Sequence, residues 1–450
     1  MHRVWAVVWL AGLAGCPSVG SYQCERDEDC NREGALGQCL ADAACAYPEG
    51  SGRCESGWAR SPNAAESPGA CIDPPTESSS SETGTSSVGS TGSEPVATSS
   101  EAGSTDDTGG LPCATANVTI ETGLFSPGAG LDAFVLWMPL DAWPKGAARL
   151  EAGESLRISD AAGDVLPHEE RTLLDGTPAL WVQLPSFEAD ATLELDFTFG
   201  TDLEQPEPRD VWGTDYVGVW HLDDPPMGLD GDVARNAAVT EEPGMLYGSM
   251  QPDQQVDGPL GPALTFDGDD DRVEVRSSYL GQLDAFTISM WIRADNPDVA
   301  SRGSFFQRLN GDYFYPRCWH GSDTHGRLIC QQSVSGDTNS TSTPEDLPIG
   351  EWLHLALVRD PASGETSMYV QGEVAGSFTD AVGGTLDTDP DPLPIEFGHG
   401  EWGSLLGALD EVRISDHPIS QSRIRADYRS QRGELEIASY GAIEATACPL

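Results

Sequence analysis

Residues 407–416, GALDEVRISD, place two carboxylates side by side in a run that otherwise predicts a β-strand. Neighbouring side chains of a strand point to opposite faces, so Asp410 and Glu411 cannot act together as an acid–base pair. Alternation predicts that one face carries Ala408, Asp410, Val412 and Ile414, and that the other carries Leu409, Glu411 and Arg413. We therefore expect Asp410 to be buried at the rim of a sheet and Glu411 to pair with Arg413, without catalysis.

Other patterns for glycan cleavage are incomplete. Retaining glucanases use a Glu-x-Asp-x-Glu strand that sets two carboxylates on one face about 5.5 Å apart. The segment ELDFTF supplies Glu194 and Asp196, but Thr198 stands where the second glutamate belongs. No Gly-x-Ser-x-Gly nucleophile elbow is present. The sequence therefore predicts no catalytic residues, and a polysaccharide-active hydrolase or lyase with an unrecognised site is the alternative.

Aromatic side chains beside polar ones are typical of sugar-binding sites. Two segments have this composition, DYFYPRCWHG and GHGEWGS. The ligand-binding candidates are Tyr313, Trp319, His320, His399 and Trp402. Each could instead pack against a sheet, and His221 is interpreted as a structural histidine at the start of a strand.

The charge of the chain excludes several partners. The 450 residues include 73 acidic and 24 basic side chains, which gives a formal net charge of −49. Nucleic acids and anionic membrane surfaces attract basic proteins. We expect neither of them to bind this surface.

The N-terminal residues 1–15 predict an export signal. A short basic start precedes an apolar run that is too short to span a bilayer. Residues 13–16, Leu-Ala-Gly-Cys, resemble a bacterial lipobox, which implies lipidation of Cys16. Ordinary cleavage that leaves this cysteine free is the alternative. The expected location is the outer membrane or the cell surface, with the lipid as the membrane anchor.

Lipidation of Cys16 would leave ten of the 11 cysteines, and export makes disulfides the default for them. Six of the ten lie in the cysteine-rich segment 16–71: Cys24, Cys30, Cys39, Cys45, Cys54 and Cys71. Their spacing is too wide for zinc, and their connectivity stays open. Cys318 and Cys330 flank one short segment, and Cys113 and Cys448 bracket the remainder.

The rest of the chain divides by composition. Residues 72–112 are rich in Ser, Thr, Gly and Glu and predict a disordered linker. From residue 113 onward, short runs of β-branched and aromatic residues separated by turns predict an all-β fold. We expect two antiparallel β-sandwich domains, 113–205 and 206–450. The segment SQSRIRADYRS predicts one short helix near the end.

The second β-domain resembles laminin-G-like or concanavalin A-like jelly rolls over residues 211–442. The resemblance is carried by GVWHLDD, GPALTFDGDDDRVEV, FTISMWIRAD, EWLHLALVRD, SMYVQGEVAGS and LGALDEVRISDHPIS. It implies a two-sheet sandwich. Members of this family bind carbohydrates, proteins or calcium, and a minority cleave glycans. The preceding domain resembles a bacterial domain of unknown function that often precedes such jelly rolls.

Jelly rolls of this type often hold Ca²⁺ at a rim, which implies Asp232, Asp269 and Asp410 as metal candidates. The segment DGDDDRVEVRSS is no EF-hand, because Arg272 occupies the glycine position and Ser278 the position of the bidentate glutamate. Aspartates that cap turn amides are the alternative. The sequence thus predicts a surface lipoprotein that binds an extracellular glycan or protein without catalysis, with Ca²⁺ as the one cofactor considered.

Overall fold

The computed structural model describes residues 113–448 except 202, 214, 239–241, 277–282, 297–301, 309–315, 322–325, 387–393, 401–402, 434 and 447, together with five short strands between residues 31 and 60. Two compact units are present, Met1–Gly103 and Ser104–Leu450. The signal peptide, Cys16 and the linker 72–112 lie outside the described residues, as do the side chains of the six clustered cysteines.

The strands of the first unit are short. They are β1 (Asn31–Arg32), β2 (Ala35–Leu36), β3 (Gln38–Cys39), β4 (Cys45–Pro48) and β5 (Trp58–Arg60). Strands β1 and β2 form one antiparallel pair, and β3, β4 and β5 form a three-stranded sheet.

The second unit begins with a β-sandwich. Its strands are β6 (Cys113–Glu121), β7 (Val135–Pro139), β8 (Ser155–Asp160), β9 (His168–Thr172), β10 (Pro178–Gln183) and β11 (Thr192–Gly200). One sheet has the order β7-β10-β9, and the other contains β6, β11 and β8. Alternation along β6 sends Ala116, Val118 and Ile120 into the core between the sheets. This is the pattern of a strand with one buried face.

Two helices in this sandwich were not predicted. They are α1 (Thr122–Phe125) and α2 (Pro144–Glu151). Helix α2 begins with Pro144 in its first turn, a favoured position for proline. Only Gly146 and Ala147 of α2 are buried, so the helix lacks the wide apolar stripe by which a sequence reveals a helix.

Two eight-stranded sheets follow. The strands are β12 (Gly218–Trp220), β13 (Asp232–Ala234), β14 (Gly244–Tyr247), β15 (Gln255–Gly258), β16 (Gly261–Asp267), β17 (Arg272–Val275), β18 (Phe286–Ala294), β19 (Gly303–Arg308), β20 (Arg317–His320), β21 (Arg327–Val334), β22 (Asp337–Asp346), β23 (Leu353–Asp360), β24 (Glu365–Val370), β25 (Glu373–Thr379), β26 (Ile395–Phe397) and β27 (Leu406–Ser415). All neighbouring pairs are antiparallel. The all-β fold with two antiparallel sandwiches is therefore confirmed.

We name the two sheets of this second sandwich. The front sheet has the order β13-β14-β17-β26-β19-β20-β21-β22. The back sheet has the order β15-β16-β27-β18-β23-β24-β25, with β12 also paired to β27. A large apolar core that includes Trp220, Leu264 and Phe397 fills the space between them.

The predicted short helix is present as α3 (Gln421–Gln431). Ser420 caps it, because its hydroxyl accepts a hydrogen bond from the amide of Arg423 at 3.3 Å. Among the described residues, no helix is long and apolar enough to cross a membrane.

Strand β27 contains a β-bulge opposite β18. Ser289 pairs with Arg413, and Trp291 pairs with Asp410, so two residues of β27 face the single residue Met290. An extra residue of this kind shifts the alternation of side chains by one position.

The bulge overturns the predicted facing of the residues in β27. Glu411 adopts a left-handed backbone with φ 54°. Leu409 consequently lies in the core between the sheets together with Val412 and Ile414, whereas strict alternation had placed Leu409 on the opposite face. The prediction that Asp410 shares a face with Val412 is wrong for the same reason.

The two sandwiches share an apolar interface. Trp181 lies in β10 of the first sandwich, and Trp212 lies in the linker that follows it. Both pack in one cluster with Trp291, Ala356 and Val358 of the back sheet. The outer face of the back sheet is therefore covered by the first sandwich.

The chain ends by returning to the first sandwich. Strands β28 (Ala438–Tyr440) and β29 (Glu444–Thr446) both pair with β6. The Cys113–Cys448 disulfide closes this junction, with 4.9 Å between the Cα atoms. The sequence predicted residues 438–446 to lie in the jelly-roll domain. Their pairing with β6 joins residues that are distant in sequence, so no local pattern could reveal it.

Candidate ligand-binding face

The outer face of the front sheet lies on the side of the second sandwich away from the interface with the first sandwich. None of the three apolar clusters among the described residues includes a side chain on this face. Side chains that alternate with core residues must point outward there. The face is consequently where the second sandwich gathers polar side chains.

Six polar side chains lie in register across this face. Successive strand pairs join them in a line perpendicular to the strands. The members, which we call the polar row, are Glu274, Glu396, Gln307, Arg317, Gln331 and Ser340. Neighbouring strands are about 4.8 Å apart, so the row offers hydrogen-bonding groups at a nearly constant spacing.

Two carboxylates occupy one end of the polar row. Glu274 lies directly opposite Glu396, and the two residues are 5 % and 6 % exposed. The Nε atom of Arg272 lies 3.8 Å from Glu274 Oε2 and 3.6 Å from Glu396 Oε1. Arg276 forms a second ion pair with Glu274. Two guanidinium groups thus balance the two carboxylates.

The sequence explains how these charges meet. In Arg-Val-Glu-Val-Arg, residues 272–276, Val273 and Val275 enter the core, which leaves the three charged side chains on the outer face. The segment Ile-Glu-Phe, residues 395–397, repeats this pattern on the neighbouring strand. Charged residues alternating with apolar ones were a visible signal, yet sequence reasoning missed both glutamates because their pairing is not local.

Glu396 also has two further side-chain partners. Gln307 Nε2 lies 3.4 Å from Glu396 Oε2, and His399 Nδ1 lies 3.2 Å from the same oxygen. His399 belongs to the loop after β26, and 33 % of its side chain is exposed. The candidate residue His399 therefore does reach the polar row.

Trp319 lies in the line of residues next to the polar row. Its ring is 5 % exposed, and the guanidinium carbon of Arg317 stands 5.1 Å from the ring centroid. Arg317 Nε donates to Gln331 Oε1 at 2.9 Å. The candidate residue Trp319 thus contacts Arg317 of the polar row and presents little of its own surface.

His320 points to the other side of the sheet. It follows Trp319 in β20, packs against Phe305 and is 1 % exposed. Burial lowers the pKa of His320 to about 4. The predicted ligand role of His320 does not fit this position. Tyr313 and Trp402 lie outside the described residues.

The predicted Cys318–Cys330 disulfide is present. The two cysteines face each other across β20 and β21, on the core side, with 4.2 Å between their Cα atoms. The bond thereby cross-links the two strands that carry Arg317, Trp319 and Gln331.

The three predicted metal candidates are not brought together. Asp232 Oδ2 accepts hydrogen bonds from the amides of Met227 and Leu229. Asp410 is 1 % exposed and accepts from the amide of Leu260 at 3.0 Å. Burial, reinforced by the charge of Glu411, raises the pKa of Asp410 well above its usual range.

Asp269 lies in the turn between β16 and β17, beside a different acidic group. The ligand oxygens of Asp267, Asp270 and Asp271 lie within 4.8 Å of one another, the one such group in the described part of the chain. Asp267 Oδ1 accepts from the amide of Asp269 at 2.8 Å, and Asp271 Oδ2 accepts from the amide of Asp267 at 2.9 Å. These bonds are the turn-capping contacts that were expected as the alternative to calcium.

Glu411, the neighbour of Asp410, serves the interface between the two sandwiches. Glu411 Oε2 lies 2.7 Å from Nδ1 of His221, whose Nε2 lies 3.2 Å from Glu169 Oε1 of β9. Burial alone would lower the pKa of His221, but the charges of Glu411 and Glu169 raise it to about 9. The histidine therefore bridges two glutamates as a buried cation, in the structural role expected from the sequence.

Arg413 completes this network. Its Nε donates to Glu411 Oε1 at 2.9 Å, which confirms the predicted pair. Its guanidinium carbon lies 4.4 Å from the ring centroid of Trp181 and 4.8 Å from that of Trp212. The two tryptophans belong to the first sandwich and its linker, so cation–π contacts join the two sandwiches.

Comparison with known proteins identifies the second sandwich. Residues 267–425 match the family described as the concanavalin A-like lectin/glucanases superfamily. Together with the two antiparallel sheets, this match defines a concanavalin A-like jelly roll. A search of curated proteins gives no match.

Solved structures give distant likenesses. Domain 4 of AbnA, a GH43 extracellular arabinanase from Geobacillus stearothermophilus in complex with arabinotriose, is 16 % identical, with a TM-score of 0.39 over 48 % of this chain and 98 % of that one. The binding domain of Paraclostridial Mosquitocidal Protein 1 is 14 % identical (TM-score 0.38; 48 % and 52 %). The botulinum neurotoxin serotype D binding domain is 14 % identical (TM-score 0.36; 48 % and 52 %). This chain spans about half of each toxin domain.

Proposed function

We propose that the protein is a non-catalytic binding module whose ligand, a glycan, lies along the polar row of the front sheet. The observation that carries the proposal is the register of six polar side chains across neighbouring strands. Sugar hydroxyls both donate and accept hydrogen bonds. The carboxylates, amides and guanidinium of the row offer both kinds of partner.

The charge balance at the row favours an uncharged ligand. Arg272 and Arg276 neutralise Glu274 and Glu396, so this end of the row carries little net charge. A cation would have to compete with the arginines for the same carboxylates. A neutral polyhydroxylated chain can instead add hydrogen bonds without breaking the ion pairs.

Glycan cleavage is the second candidate function, and one observation favours it. Glu274 and Glu396 face each other across paired strands, and glycosidases use two neighbouring carboxyl groups. Here arginine engages both carboxylates as acceptors, whereas cleavage needs one of the two groups to transfer a proton to the leaving group. Binding without turnover is therefore the function that we put first.

A glycan array probed with the purified chain tests the proposal, with added calcium and with chelator in parallel arms. We expect binding to defined neutral glycans and about a tenfold loss of affinity in Glu396→Gln, because a hydrogen bond to a charged group is removed. Glu194→Gln is the matched control, since Glu194 is an exposed glutamate of the first sandwich. The calcium arm tests the Ca²⁺ expectation, which remains a prediction.

Two further outcomes decide between the candidates. Gln331→Ala, a change at a half-buried position, provides a second test should Glu396→Gln not fold. Binding that neither substitution alters would place the ligand elsewhere. Release of shorter glycans by the wild-type chain, abolished in both Glu274→Gln and Glu396→Gln, would establish the enzyme instead.

The cellular location is part of the proposal. We infer an exported lipoprotein at the outer membrane or cell surface, anchored through Cys16. The two disulfides of the described residues support an oxidising compartment. Labelling cells with a radioactive fatty acid tests the anchor: label should enter the wild-type protein and be absent from Cys16→Ser.

A further inference from the structure

A loop beside the front sheet exposes three large apolar side chains close together in the chain. Met227 is 63 % exposed, Leu229 is 53 % exposed, and Val233 in the edge strand β13 is 46 % exposed. We call these three residues the apolar knob. Single exposed apolar residues are common, whereas three within seven positions are a concentration of exposed apolar surface, and such concentrations mark interaction sites.

Hydrogen bonds between aspartate side chains and backbone amides order the loop that carries the knob. The carboxylate of Asp232 accepts hydrogen bonds from the amides of Met227 at 2.7 Å and Leu229 at 3.1 Å. The amide of Gly228 donates to the carbonyl of Met250 at 2.8 Å. Asp230 Oδ1 accepts from the amides of residues 248 and 249. A loop ordered before binding loses less entropy when a partner docks.

The charge around the knob selects the partner. Backbone amides satisfy the hydrogen bonding of Asp230 and Asp232, and these bonds leave the negative charge of both carboxylates in place. A second copy of the chain would bring another net charge of −49, which repels it. Arg235, two positions beyond Val233, is paired with Asp224, so Asp230 and Asp232 supply the unbalanced charge beside the knob. An apolar surface flanked by carboxylates is complementary to apolar side chains flanked by lysine or arginine.

The knob also adjoins the polar row. Val233 lies opposite Met245, and Met245 lies opposite Glu274. A protein bound at the knob would consequently sit at one end of the face to which we assign the glycan.

We propose that the apolar knob is a docking site for a protein segment that combines large apolar residues with lysine or arginine. The probe is a phage-displayed library of short random peptides, panned on the full chain. Enriched peptides should pair basic residues with Leu, Ile, Phe or Trp. Their affinity should fall at least tenfold in the double variant Met227→Ser, Leu229→Ser.

Val382→Ser is the matched control, because Val382 is 72 % exposed and lies outside the knob. It should leave peptide binding unchanged. Raising the salt concentration from about 0.1 M to about 1 M should weaken binding, since exposed charges are screened. The glycan array should give the same result for the double variant as for the wild type, which separates this proposal from the glycan site.

Several results would overturn the docking proposal. One is enrichment of peptides without basic residues, or no enrichment at all. Another is equal peptide affinity in the wild type and the double variant. Binding to neutral phospholipid vesicles that the double variant loses would assign the knob to a lipid surface. A dimer that sedimentation detects in the wild type alone would assign it to a second copy.

Discussion

The buried histidine at the interface should make the protein lose stability in alkaline solution. His221 has a pKa of about 9 in the folded chain, against 6.5 for an unperturbed histidine. A histidine whose pKa is raised by folding stabilises the fold fully below its unfolded value, and the effect disappears as the pH rises through the folded value. A shift of about 2.5 units at about 1.4 kcal/mol per unit corresponds to about 3 kcal/mol.

The geometry explains why this loss is large. At high pH the imidazole becomes neutral while Glu169 and Glu411 remain charged and buried on either side of it. Burial alone would raise the pKa of Glu169, but the charges of His221 and Arg171 lower it to about 2. The charges of His221 and Arg413 likewise outweigh burial and lower the pKa of Glu411. The two glutamates therefore stay ionised throughout the neutral and alkaline range. The bridge is lost only when His221 gives up its proton.

Urea unfolding of the wild type and His221→Gln between about pH 6.5 and about pH 10 measures this contribution. The wild type should lose about 3 kcal/mol more than the variant over this range, because groups other than His221 titrate in both proteins. Nuclear magnetic resonance of the imidazole should show that it titrates near pH 9. Equal pH slopes in the two proteins, or titration of His221 near 6.5, would refute the reasoning.

Three smaller tests concern other parts of the fold. Cys448→Ser removes the disulfide to Cys113, which spans 335 residues, and should cost about 6 kcal/mol by the chain-entropy relation; an unchanged urea midpoint would show that β28 and β29 hold the junction alone. Asp410→Asn should stabilise the protein at neutral pH and not below about pH 4, because folding raises the pKa of this carboxyl above its unfolded value; equal effects at both pH values would contradict its burial as a neutral acid. Ser420→Ala should cost about 1 kcal/mol in thermal or urea unfolding through loss of the helix cap, whereas Ser420→Asn should retain most of the stability.

Much of the fold could be predicted from local pattern. The runs Phe286–Ala294 and Leu353–Asp360 bury alternate residues against the core and form the centre of the back sheet. The helix at Gln421–Gln431 was also visible, because its cap and its polar composition are local features. Both features depend on residues that are close in sequence.

The remaining features depend on contacts between distant residues. Alternation cannot reveal that an extra residue is inserted at Glu411, because the bulge is defined only against β18. Glu274 and Glu396 are each unremarkable in their strands, and the register between β17 and β26 makes them a pair. The network around His221 likewise requires the first sandwich to dock on the back sheet.

The Cys113–Cys448 bond gives the second unit the topology of a closed ring. Every backbone position between the two cysteines lies on one covalent circle. A protease that cuts a surface loop once opens this circle, but the two resulting pieces remain linked through the disulfide and the pairing of β28 and β29 with β6. Two cuts, or a cut and a reductant, are needed before any part of the folded unit can leave.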